Sequence, residues 1–255
     1  MAIIVMAVHD TLENNRSGFT KETLYSLFHT VDFRNHRLIV VDNNSCDQTK
    51  ALLQEMKRVK AMDIITNPEN IGTARAVNKG ICLRRPGEHV IKMDNDVVIH
   101  STRWVEAMEA AIERDPKIGI IGLKRKDLIE SPERNDFYKS ELKMLKHQPG
   151  EPWIIVEQVN HVMGTCQMFN AALLDEIGYL YQPRLYGFDD SLAAIRCQLA
   201  GFYNCFLSHI NIDHIDPGGT DYQKWKEKVS MEDMQIFNQL KNGYIDGTIP
   251  IYHED

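Results

Sequence analysis

The chain has 255 residues, 43% of them hydrophobic, and a formal net charge of -7. That size supports one large core or a core with a small appendage. The acidic balance argues against a surface that coats nucleic acid, and no window approaches the roughly 18 consecutive apolar residues of a membrane span. Cys46, Cys82, Cys166, Cys197 and Cys205 are scattered with no CxxC pair, which fits reduced thiols better than a disulfide framework or a zinc site.

The apolar start lacks a basic leader and meets His9-Asp10 at once, so residues 3–8 read as a first core strand and not a signal peptide. Helical spacing follows over 20–31, with Leu24, Leu27, Phe28 and Val31 on one face. A second strand over 37–41 ends at Asp42. A helix over 46–56, a strand over 62–66, a helix over 73–83 and a strand over 89–93 continue the alternation. Trp104, Val105, Met108, Ala111 and Ile112 form an apolar helical stripe that Pro116 terminates, and residues 118–123 read as a fifth strand. Strands alternating with helices of this length imply crossovers and a mostly parallel central sheet flanked by helices, an α/β fold.

The rhythm then breaks. Residues 124–152 are charged and read as an insertion beside the active site, a flexible cover or a surface excursion, with a helical piece over 140–146. Strands over 153–159 and 165–169, a helix over 189–200 ending at Gly201, a strand over 203–207 and a helical region over 222–240 complete the chain. The expected organisation is one domain over 1–218, with halves 1–123 and 124–218, and a helical extension over 219–255.

Open parallel sheets bind ligands beyond the carboxyl ends of their strands, and polar residues gather there repeatedly. Asp94-Asn95-Asp96 is the most informative stretch, because two carboxylates at the end of a buried strand repel each other and lose solvation. A cation shared with a polyphosphate removes both costs; a solvated acidic turn is the plainer alternative. If the chain stays extended, both acids face the same way. Asp42 suits a ribose hydroxyl or base N–H, and equally a turn or cap. Gly72 allows a special backbone conformation or the close approach of a diphosphate. Arg75 on the following helix suits a phosphate or plain solvent. Asp189 and Asp190 precede a helix, one as a cap and the other as a candidate general base. His209 and His214 stand near Asp213 and Asp216, and His214 can approach a metal from a loop. Imidazole with carboxylates and a diphosphate suits Mn²⁺ or Mg²⁺. Walker and GxGxxG sequences are both missing.

Together these residues resemble glycosyltransferases of the GT-A (nucleotide-diphospho-sugar transferase) fold, closest to the family 2 group, over roughly residues 3–217. Residues 38–49, running through Asp42-Asn43-Asn44-Ser45, look like that family's second-strand motif. Residues 70–80, from Asn70-Ile71-Gly72 to Asn78-Lys79-Gly80, look like its glycine-containing motif. Asp94-Asn95-Asp96 fits its DXD motif, and Gly187-Phe188-Asp189-Asp190 its later acidic motif, with Asp189 in place of the usual glutamate and Leu192 where many members carry a further acid.

The resemblance implies that Ala7, His9, Asp42, Asn70, Gly72, Arg75, Asn78, Asp94 and Asn95 hold the sugar nucleotide, with UDP favoured. It implies Asp96 and His214 for the metal, Asp190 as base, and Asp189, Gly164 and Thr165 on the acceptor side. It further implies a hexosyltransferase-like, metal-dependent and inverting transfer to an acceptor hydroxyl. A saccharide, a protein, a small molecule and a modified nucleic-acid base all stay open as acceptor. A cytoplasmic location fits, peripheral membrane contact and self-association being compatible with it. A retaining outcome, a sugar-nucleotide nucleotidyltransferase, a noncatalytic sugar-nucleotide-binding protein and a metal-dependent hydrolase are the alternatives.

Overall fold

The computed structural model describes residues 1–129, 140–146, 149–218 and 221–254. The first half folds in the predicted alternation. Strands β1 (Ala2–Val8), β2 (Arg37–Asp42), β3 (Asp63–Thr66) and β4 (His89–Met93) are joined by helices α1 (Ser17–Thr30), α2 (Asp47–Val59) and α3 (Thr73–Ile81). Beyond β4 come β5 (Val97–Val98), α4 (Trp104–Arg114), β6 (Ile118–Arg125), α5 (Lys126–Ile129), β7 (Glu141–Met144), β8 (Ile155–Val159) and β9 (Cys166–Phe169). Helices α6 (Ala171–Ile177) and α7 (Asp189–Leu199), strand β10 (Tyr203–His214) and helix α8 (Asp221–Ile245) close the chain.

The strands form one mixed sheet in the order β3-β2-β1-β4-β9-β6-β10-β8-β7, with β5 paired to β10. Pairing is parallel through β3-β2-β1-β4 and between β6 and β10. It is antiparallel where β9 enters between β4 and β6, and again at β7, β8 and β5. The predicted parallel order thus describes the strands of the first half, and the sheet as a whole is mixed.

Strand alternation divides the core into two layers. Ile4, Met6, Leu38 and Val40 face one layer with Leu24, Leu27, Leu53, Trp104, Val105 and Met108 of α1, α2 and α4. Ile3, Val5, Ile39 and Val41 face the other, with Ala74 and Val77 of α3, Leu173 and Leu174 of α6, and Ala193 and Cys197 of α7. Burial on both faces explains why these strands read as continuous apolar runs.

The chain winds outward from β1 to β3, then returns across the other face to β4, which pairs with β1. The reversal opens a crevice beyond the carboxyl ends of β1 and β4. Val8 is level with Asp42 and Met6 with Met93 in the register, so His9, Asn43 and Asp94 emerge on one edge.

Two local expectations change. The helical piece over 140–146 is instead strand β7, paired antiparallel with β8; ladder pairing with a neighbour overrides the helix propensity of Glu141-Leu142-Lys143-Met144. The predicted strand over 203–207 runs on to His214, because its far end pairs with β5. His214 therefore arrives on a strand end, not a loop. No helix among the described residues is long and apolar enough to cross a membrane.

Candidate functional site

Two adjoining cavities occupy the crevice. The first is lined by Ala7, Val8, His9, Arg16, Asn43, Asn70, Thr73, Asp94, Asn95, Asp96, Leu185, Tyr186, Tyr222, Trp225 and Lys226. The second, about 440 Å³, holds Lys92, His161, Gly164, Thr165, Asp189, Asp190 and His214 together with Asp94 and Asp96.

The acids after β4 do share a cleft, but through a turn and not through strand alternation: Asp94 leaves the strand, and Asn95 and Asp96 form the turn into β5. The Asp94 amide donates to Thr165 O at 3.0 Å. Asn95, which also lines the first cavity, donates to Asp10 Oδ1 at 2.8 Å and Thr20 Oγ1 at 2.7 Å. Burial pushes the Asp94 carboxyl up to about 6; Lys92 opposes the rise and Asp96 adds to it.

Asp96 is almost wholly buried, and Arg16 grips its Oδ2 while also gripping Asp216. His214 Nε2 lies 3.3 Å from that same oxygen. Burial disfavours the Asp96 charge, but His214 and Arg16 outweigh it and hold the carboxyl well below its ordinary range. Burial likewise opposes the Arg16 charge, and Asp96 and Asp216 outweigh it in turn.

Asp96 Oδ1 is buried with no hydrogen-bond partner among the described residues. A carboxylate oxygen left unsatisfied beside an imidazole is a donor set that fits Mn²⁺ or Mg²⁺. Among the described residues no three His, Cys, Asp or Glu side chains form a ready metal cluster, so an ion here would take its remaining ligands from phosphate and water. His209 is exposed and lines a separate groove with Trp153 and Arg103, away from Asp96.

Asn43 and Asn70 of the first cavity belong to a network of side-chain amides, which Lys79 Nζ joins by donating to Asn67 Oδ1 at 2.6 Å. Asn43 Oδ1 accepts from Asn67 Nδ2 at 3.0 Å and from the Ile71 amide at 3.1 Å, while its Nδ2 donates to Asn70 Oδ1 at 2.7 Å. His9 Nδ1 lies 2.8 Å from Asn43 O.

Four expected donor residues lie elsewhere. Asp42 is buried, accepts from the Ser45 amide at 2.8 Å and lines neither cavity; its neighbour Asn43 takes the wall position. Asn78 is buried on the far side of its helix and both donates to and accepts from the Leu180 backbone at 2.9 Å. Arg75 is exposed outside both cavities. Gly72 has φ +87°, and a Cβ there would strike the Gln182 amide and the backbone of Arg184 and Leu185. Its close approach serves that segment: Gln182 Oε1 accepts from the Ala74 amide at 2.8 Å and Leu185 O from Thr73 at 3.3 Å.

The wall of the second cavity is built from charges. Gly187 (φ +89°) and Phe188 (φ +65°) turn the chain sharply, so that Asp189 and Asp190 open α7. Acids in a first turn suit the helix dipole. Asp189 pairs with Lys92 Nζ at 2.8 Å. Lys92 is a buried cation in the middle of a sheet, which survives only because it is paired. Asp190 accepts from the Gly164 amide at 3.0 Å and the Ser191 amide at 2.7 Å, and His161 Nε2 stands 3.3 Å from its Oδ2. Burial raises the Asp190 carboxyl, but His161, Lys92 and the Gly164 amide outweigh this and hold it well below its ordinary range. Gly164 is glycine because a Cβ would collide with Lys92 Nζ.

Arg16, Lys92, Asn43, His161, Tyr222 and Lys226 escape the sequence reading. Of these, Lys92 carries a usable signal: a lysine inside the run Val90-Ile91-Lys92-Met93 requires a buried acid partner. The C-terminal helix also does more than pack, since Tyr222, Trp225 and Lys226 line the first cavity.

A family model described as "Glycosyl transferase family 2" matches residues 11–178, well over half of the sequence. The chain belongs to glycosyl transferase family 2. This glycosyltransferase is 23% identical over 169 residues to poly-beta-1,6-N-acetyl-D-glucosamine synthase of Staphylococcus epidermidis, a match covering 65% of the chain and 39% of the relative. The synthase of Staphylococcus aureus strain MSSA476 is 22% identical with the same coverage. The family 2 chain thus spans well under half the length of these curated relatives.

Among solved structures, the GT-A fold recurs in mannosyltransferase PcManGT from Pyrobaculum calidifontis, in complex with GDP-Man and Mn²⁺. Its TM-score is 0.64 at 16% identity, over 88% of this chain and 59% of that one. Staphylococcus aureus TarS 1-349 in complex with UDP-GlcNAc gives 0.59 at 17% identity, over 93% and 67%. GalNAc-T7 with UDP, GalNAc and Mn²⁺ gives 0.63 at 14% identity, over 84% and 43%.

Proposed function

We propose that this glycosyltransferase moves a sugar from a nucleotide-diphospho-sugar to an acceptor hydroxyl with inversion, using Asp190 as the base. One observation carries the reading: the acids of the β4 turn and the Asp189-Asp190 pair line a single cavity of about 440 Å³. Nucleotide-binding and proton-accepting groups are thereby within one substrate's length of each other. In this reading residues 1–123 hold the donor, residues 124–218 receive the acceptor, and the helix beyond them shapes the cleft.

The nucleoside lies against the Asn43–Asn70 wall, and the sugar enters the larger cavity under Gly164 and Thr165. Asp96 and His214 would hold a divalent ion, Mn²⁺ before Mg²⁺ because of the imidazole. Bound there, an ion would supply positive charge against the leaving diphosphate. Asp190, fixed by two backbone amides, accepts the acceptor's proton as the acceptor oxygen bonds to the anomeric carbon and the bond to the diphosphate breaks. Alignment supplies much of the acceleration, and the base contributes roughly 10²–10⁴.

A donor panel with Mn²⁺, read by mass spectrometry, tests the reading. UDP-GlcNAc and GDP-mannose come first, since similar proteins were solved with them. Free nucleoside diphosphate is the expected product; pyrophosphate would mean nucleotidyl transfer instead.

A further inference from the structure

Tyr186, Thr73, Asp94, Asp96 and Lys226 line both cavities and therefore mark the neck between them. A sugar nucleotide that places its nucleoside in one cavity and its sugar in the other puts its diphosphate at that neck. We infer that Lys226, carried by the C-terminal helix, is the cation that grips the donor diphosphate and the nucleoside diphosphate it leaves behind. The inference rests on the sugar-nucleotide reading above and adds a substrate contact from a helix beyond the family match, which ends at residue 178.

The surroundings of Lys226 suit an anion better than they suit the lysine alone. Its side chain is only 14% exposed. The ammonium lies over the Tyr222 ring at 4.7 Å and the Tyr186 ring at 5.4 Å, and those two faces fix it without satisfying its donors. Asp216 Oδ2 is 3.9 Å away, too far for a hydrogen bond, and that carboxylate is already gripped by Arg16. Burial and the neighbouring guanidinium push the Lys226 pKa down, which a diphosphate would reverse.

Arg16, a neighbouring cation in the first cavity, has its two terminal nitrogens committed to Asp96 and Asp216. Among the described residues Lys226 is the lysine or arginine that lines both cavities, and its three donors on a flexible stem can follow charge onto the leaving group.

The test is a pair of titrations, with UDP and uridine, and GDP and guanosine in parallel, against the full-length protein in Mn²⁺. Lys226→Gln keeps most of the stem, Lys226→Arg keeps the charge, and thermal unfolding of each variant reports its integrity. Lys226→Gln should weaken binding of the preferred nucleoside diphosphate about 10- to 100-fold while leaving the nucleoside within about twofold, and Lys226→Arg should recover part of the loss. Equal weakening of diphosphate and nucleoside would make Lys226 a packing element and overturn the inference, as would unchanged affinity for both. If the wild-type protein bound neither diphosphate, the sugar-nucleotide reading itself would fall, a distinct result.

Discussion

The two walls of the cleft are stabilised by different chemistry. Beside the first cavity, Asn43 bonds to Asn67, Asn70 and the Ile71 amide, groups only 24 to 28 residues away, and Lys79 Nζ adds a single cation by donating to Asn67 Oδ1 at 2.6 Å. Elsewhere in the cleft the groups are charged: His161 pairs locally with Asp190, while Lys92 pairs across the fold with Asp189 and Arg16 with an aspartate 200 residues away. Amide networks cost little to bury and hold a shape. Buried charges are costly unless every partner is present, so they bind the two halves of the chain into one site. The first wall should therefore tolerate change gradually, and the second should fail steeply.

The steepest failure should be chemical. Asp190→Asn keeps the side-chain volume and can still accept from the Gly164 amide, but it cannot take a proton. Transfer should fall about 10²–10⁴-fold with affinity for UDP unchanged. Full transfer by the purified variant would remove Asp190 from the mechanism. The next effect should be structural. Lys92→Met strands Asp189 beside Asp94 without its cation, and should cost about 3–5 kcal/mol in urea denaturation. Replacing both members, Lys92→Met with Asp189→Leu, should recover much of that stability while leaving no transfer. If the double variant were as unstable as the single, the pair would not be the source of the loss.

The same contrast explains what the sequence reveals. The strands of the first half alternate cleanly with helices, and the polar loops His9-Asp10, Asn43, Asn70 and Asp94-Asn95-Asp96 follow strand ends, so one edge of a parallel sheet places them together. Residue chemistry alone misleads by one position at Asp42, where the carboxylate caps its own turn at Ser45 and its neighbour takes the wall. At Asn78 a polar side chain on a helix serves the Leu180 backbone instead of a ligand. Arg16, His161 and Lys226 are illegible because nothing local distinguishes them: each gains its role from a carboxylate or cavity that only the tertiary fold supplies. Strand β7 was hidden for the same reason, since its ladder partner lies beyond a turn.

A smaller effect should mark the amide wall. Asn43→Ala removes an acceptor for Asn67 and Ile71 and a donor to Asn70, and should cost about 1–3 kcal/mol in stability. Uridine binding should weaken while the Asp190-dependent proton step stays intact. A variant of wild-type stability and wild-type uridine affinity would show that the wall is held from elsewhere.

The smallest signal, and the one that probes the charged wall most directly, is the titration of His161. Burial works against its charge, but Asp190 and Asp189 outweigh this and raise its pKa above the ordinary 6.5. A raised pKa means the folded state favours the imidazolium. The stabilisation is fully present below pH 6.5 and fades as pH rises through the higher folded value. The depressed carboxyl of Asp190 acts at the other end, its contribution present above about 3.8 and lost as pH falls through its folded value. The pair therefore stabilises the protein between these limits, and its imidazolium lowers the basicity of the carboxylate proposed as the base. His161→Gln should accordingly shift the acid limb of the transfer pH profile upward, and in Asp190→Asn the His161 ring should titrate at lower pH by NMR. A ring that titrates identically in wild type and Asp190→Asn would mean that Asp190 is held by its backbone amides alone, and that the imidazole has no part in setting its basicity.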